Sequence, residues 1–118
     1  MKTENKILDM SFDFALQIIE VYKILLEKKE YVLSRQLLKS GTSIGANVEE
    51  ATAAQSKKDF ISKMAIASKK ARETRYWLRL LDNSKLVEHD YSPYLISIEH
   101  MINIITKIVK TSSEGNAS

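Results

Sequence analysis

Between residues 56 and 84 apolar side chains return in one unbroken helical rhythm. Phe60, Met64, Ala67, Ala71, Thr74, Leu78 and Leu81 alternate spacings of four and three over more than five turns, with neither glycine nor proline among them. A stripe of this length must be buried against other helices, so it commits the chain to a helical fold. Ser56-Lys57-Lys58-Asp59 has the form of a capping box with aspartate in place of the usual Glu or Gln. Asp82-Asn83-Ser84 favours a turn, which sets this third helix at about residues 56–84, with a loop of about nine residues after it.

The rhythm recurs near the carboxyl end in Leu95, Ile98, Ile102, Ile105 and Val109. Ser92 is the expected N-cap and Pro93 the first helical residue, giving a fourth helix from about Ser92 to Thr111. Residues 112–118 hold one apolar side chain in seven and read as a disordered tail, leaving residues 1–111 as the domain. A first helix is read from Ala15, Ile18, Tyr22 and Leu25, closing at Lys28-Lys29; its start lies either at a Ser11 cap or near Thr3.

Leu33, Leu37, Ser40, Ile44, Val48 and Ala51 keep helical spacing in a second helix that contains Gly41 and Gly45. Each glycine costs ~1 kcal/mol relative to alanine. Either the chain breaks at Ser40-Gly41-Thr42, or one helix runs through and uses the glycines for close contact. The spacing favours the continuous helix. Folding it back on helix three around residue 55 places Gly45 near Ala65, Ser40 near Ala71, and Lys63 near Asn47. Four helices with short connections give an all-α, antiparallel up-and-down four-helix bundle.

Composition removes most chemistry. Zero cysteines exclude disulfides, thiolate metal sites and a cysteine nucleophile. Neither His89 nor His100 has glutamate three residues before it, so the di-iron spacing of helical bundles is missing. Gly41-x-x-x-Gly45 has no Gly-Lys-Ser/Thr after it, and no serine sits in Gly-x-Ser-x-Gly. The expectation is a protein without catalytic activity, cofactor, metal or small-molecule substrate. With no uncharged apolar run near ~18 residues and no export signal, it is expected to avoid membranes and stay in the cytoplasm.

Charge is uneven. The chain carries net +3, yet residues 57–85 hold nine Lys or Arg against three Asp or Glu. Arg72, Arg75 and Arg79, with Lys69 and Lys70 nearby, form a candidate phosphate-binding strip set against a plain solvated face. Tyr76 beside Trp77 is weighed as a base-stacking residue and ranked below packing. Ile66, Trp77 and Leu80 lie outside the main stripe and form a candidate subunit interface. Ser43, Asn47 and Glu50 follow i, i+4, i+7 spacing, with Lys63 as the expected partner of Glu50 or Asn47.

The run from Ser40 to Ala51, Ser-Gly-Thr-Ser-Ile-Gly-Ala-Asn-Val-Glu-Glu-Ala, resembles the signature of proteins linked to intervening sequences in 23S ribosomal RNA. Residues 56–64 and 71–81 continue the likeness, which spans roughly residues 11–110. Ala51 stands where many members have glycine. The resemblance makes Gly41, Ser43, Gly45, Asn47 and Glu50 the structural motif, and implies a bacterial four-helix bundle assembled into a ring-like homo-oligomer, a pentamer. It also implies kinship with the accessory variability determinant of diversity-generating retroelements, hence RNA or a nucleic-acid-processing protein as partner. The expected function is therefore a non-enzymatic oligomeric scaffold that binds nucleic acid through helix three; the alternative is a protein–protein adaptor.

Overall fold

The computed structural model describes the backbone of residues 2–117 and the side chains of residues 5–114, so Met1 and Ser118 of the expected domain and tail lie outside the described residues. The long stripe of the third helix is buried from Met64 to Leu81, and only Phe60 at its start is half-exposed. Four helices carry the chain: α1 (Lys2–Glu27), α2 (Leu33–Thr52), α3 (Lys57–Ser84) and α4 (Ser92–Ala117). Each packs on the next and α4 closes back on α1, in a rod of 51 × 22 × 21 Å. Facing residues pair with opposed numbering, Gly41 with Ile18 and Gly45 with Ser11, Ser40 with Thr74 and Glu50 with Lys63, Arg75 with Glu99 and Arg72 with Thr106, as an up-and-down antiparallel bundle requires.

The ends are fixed by side chains. Ser56 has extended backbone and its hydroxyl accepts the Asp59 N–H at 3.0 Å, the forward half of the capping box. The N-terminus of α2 has no cap on Val32. Instead the Glu30 carboxylate accepts the N–H groups of Val32, Leu33 and Ser34 at 3.1, 3.1 and 2.6 Å, which places its charge on the positive end of the helix dipole. The cap of α4 shifts from the expected Ser92 to Asp90, whose carboxylate accepts the Ser92 N–H at 3.0 Å. Hydrogen bonding from the Ser92 hydroxyl and then from the Ser92 N–H holds the Asp90 carboxyl below its ordinary range. Lys29 and Lys85 close α1 and α3 in the left-handed region, at φ 61° and 58°.

Of the two starts open for the first helix, the one near Thr3 holds: α1 begins at Lys2, and Ser11 is buried mid-helix with its hydroxyl donating to the Leu8 carbonyl at 3.2 Å. Three expectations about the helices are corrected. The buried row of α1 is Ile7, Ser11, Phe14, Ile18, Val21 and Leu25, leaving Ala15 and Tyr22 at its margin. Helix four continues past Thr111 to Ala117, because no proline or competing cap stops it there. The register of α2 on α3 lies further along α3 than a fold-back at residue 55 gives. Ser40 meets Thr74, with 2.9 Å between hydroxyls, rather than Ala71; Lys63 pairs with Glu50, one of its two expected partners.

Helix two is continuous through both glycines, as the spacing favoured. Their close contact is with α1, not α3. A Cβ on Gly41 would lie 2.9 Å from Ile18 Cγ2, and one on Gly45 would lie 3.3 Å from the Ser11 carbonyl oxygen. The two missing side chains let the α2 backbone approach α1 as far as the Ile18 side chain permits. Val87 and Tyr91 from the α3–α4 loop close one end of the core. The Tyr91 hydroxyl donates to the Val87 carbonyl at 2.9 Å, and burial, reinforced by the carboxylates of Asp82, Glu30 and Glu88, raises its phenol pKa.

Candidate nucleic-acid and subunit surfaces

The five cations of the expected strip diverge. Arg75 sits on the α4 side of α3, where one guanidinium nitrogen donates to both Glu99 carboxylate oxygens at 3.0 Å. Lys70 sits on the α2 side, 3.8 Å from the Glu73 carboxylate one turn away. Lys69, Arg72 and Arg79 remain on the outer face, opposite the buried stripe and within about 80° of one another around the helix. Arg72 donates to Thr106 Oγ1 across the α3–α4 groove at 3.4 Å. No ion pair among the described residues involves these three.

Tyr76 lies in the same outer row, between Arg72 and Arg79, and is 53% exposed. Its ring meets Trp77 edge-to-face, with centroids 5.2 Å apart and planes at 66°. Trp77 itself is half-buried against the core, and its indole N–H points at Glu73 Oε2, 3.4 Å away. Ile66 and Leu80 are half-buried as well. The protomer's own packing therefore already covers part of the shoulder expected to need a second copy.

A larger apolar row lies elsewhere. Phe12, Leu16 and Ile19, at i, i+4 and i+7 on α1, are 61%, 50% and 38% exposed. They border a groove of about 370 Å³ between α1 and α2, completed by Leu8, Ala15, Thr42, Gly45, Ala46 and Glu49. Gly45 and Ala46 leave its α2 wall low. The expected stripe of the first helix, Ala15, Ile18, Tyr22 and Leu25, contains none of Phe12, Leu16 and Ile19. The signal that could have found them is the presence of two parallel apolar rows on one helix, of which a bundle core accepts one.

The polar row of α2 is locally satisfied. Ser43 donates to the Lys39 carbonyl at 2.6 Å, and Asn47 Nδ2 donates to the Ser43 carbonyl at 2.8 Å. Glu50 pairs with Lys63 at 3.6 Å, but with the glutamate side chain 62% exposed such a pair contributes only about 0–1 kcal/mol. His89 stacks on Tyr94 and meets its hydroxyl at 3.4 Å, and His100 is exposed on α4. No group of three or more His, Asp or Glu among the described residues is placed to hold a metal ion, and no helix there is long and apolar enough to cross a membrane.

Comparison with known proteins agrees with the four-helix fold. The family model described as 23S rRNA-intervening sequence protein matches residues 3–107. The fold is similar to a crystal structure of a protein of unknown function from the S23 ribosomal protein family of Bacteroides thetaiotaomicron. That match has a TM-score of 0.87 and 43% identity, and covers 92% of this chain and 98% of the other. No curated protein matches the chain.

Proposed function

The chain belongs to the 23S rRNA-intervening sequence protein family, and on that footing we propose a non-catalytic helical scaffold whose copies associate and hold RNA along the outer face of α3. The observation that carries this reading is the row Lys69, Arg72 and Arg79, three cations without carboxylate partners among the described residues. Guanidinium and ammonium groups left free in this way displace counterions from phosphates. Three contacts give weak binding by one protomer, so association that sets several rows side by side is part of the function. The Phe12, Leu16 and Ile19 row over the α1–α2 groove supports such association, and a ring of five copies in the bacterial cytoplasm is the assembly we propose.

Fluorescence anisotropy with a labelled RNA across a salt series tests the reading. The expected log–log slope is about −2 for three phosphate contacts on single strands, steeper if copies act together. Absence of binding at low salt, or binding indifferent to salt, refutes it. Light scattering tests association, because a chain of 13.5 kDa in a ring gives a multiple of that mass and Leu16→Asp should return it to a monomer with unchanged helicity. A second reading, an adaptor that seats a partner protein's helix, draws on the same groove. It gains if Leu16→Asp leaves the mass unaltered.

A further inference from the structure

We propose that Tyr76 is a stacking platform for an unpaired base, which makes the cationic face of α3 a reader of single-stranded rather than duplex nucleic acid. The inference rests on the RNA-binding reading above and narrows its ligand. Lys69, Arg72, Tyr76 and Arg79 follow i, i+3, i+7, i+10 spacing, a continuous row about 15 Å long on one side of the helix. An aromatic ring between cations is the arrangement that single strands exploit, since phosphates follow the charges while a base lies on the ring. A duplex keeps its bases stacked on one another and offers the ring only its backbone.

The ring is exposed where a ligand would approach and braced on the other side. Slightly over half of Tyr76 is open to solvent, and the edge-to-face contact with Trp77 limits its orientations. Trp77 is fixed in turn by packing against the core. No core role accounts for an aromatic side chain here, because Tyr76 lies opposite the Met64, Ala67, Ala71 and Leu78 stripe.

The test uses the full chain with a labelled, unstructured RNA oligonucleotide and with the duplex it forms with its complement. Tyr76→Leu should weaken single-strand binding by roughly 5- to 100-fold, leave the salt slope unchanged and hardly alter duplex binding. Tyr76→Phe, which keeps the ring, should bind like the parent. Binding of the single strand should also change the fluorescence of Trp77, the one tryptophan of the chain. Circular dichroism checks that both variants are folded. Equal binding by Tyr76→Leu and the parent, or equal losses on single strand and duplex, overturns the proposal while leaving RNA binding intact. If the parent binds neither RNA at low salt, the broader reading falls with it.

Discussion

Gly41 shows how one missing side chain sets a helix pair. In a solvent-exposed helix, alanine in its place would gain about 1 kcal/mol of helix propensity. Here the added methyl meets the branched Cγ atoms of a fully buried Ile18, whose side chain is stiff about χ1. Overpacking of this kind costs about 1–3 kcal/mol, which outweighs the propensity gain. Gly41→Ala is therefore expected to lower the thermal midpoint, and to lower it more than Gly45→Ala, whose nearest contact is a looser 3.3 Å. Thermal melts followed by circular dichroism check the order, and a rise for Gly41→Ala would refute it. Ser40 and Thr74 show the same dependence on a partner. Both are buried; their hydroxyls lie 2.9 Å apart and also reach the Leu37 carbonyl at 3.4 Å and the Lys70 carbonyl at 2.7 Å, so each keeps a partner within its own helix and gains a second across the pair.

At the scale of helices, the pairing of α3 with α4 decides how much positive charge α3 presents. Glu99 of α4 takes Arg75 out of the cationic row, while Lys70 is paired within α3 by Glu73. Replacing Glu99 by Gln keeps the side-chain shape and releases the Arg75 guanidinium. On the proposed function, Glu99→Gln is expected to tighten RNA binding and steepen the salt slope by about 0.7. Its effect on stability should stay under about 1 kcal/mol, because the pair is partly solvated. Anisotropy over a salt series, with a melt as control, measures both. An unchanged slope would remove Arg75 from the reach of the ligand.

For the molecule as a whole, the loop end of the bundle sets an alkaline limit on stability. Tyr91 is buried there with its hydroxyl bonded to the Val87 carbonyl, and its folded pKa is raised. The folded state therefore favours the neutral phenol. The stabilisation is complete below the ordinary phenol pKa of about 10 and is lost as pH rises through the folded value. Urea unfolding between about pH 8 and about pH 11 is expected to show this decline in the parent. Tyr91→Phe, less stable at neutral pH for want of the hydrogen bond, should show a shallower decline. Parallel curves for the two would place the alkaline sensitivity elsewhere.

The number of helices, their order and the length of α3 follow from the sequence alone. A period of 3.6 is a property of the local backbone, and a stripe that keeps it needs no knowledge of its neighbours. The stop at Ser84, the Ser56 cap and the continuity of α2 through Gly41 and Gly45 were legible for the same reason. Only the tertiary structure decided which of the two apolar rows of α1 is core, that the glycines meet α1 rather than α3, and which cations of α3 pair with carboxylates. Each of those depends on the side chain that faces a residue across space, and two helices can slide past one another by a turn without changing the pattern along either one.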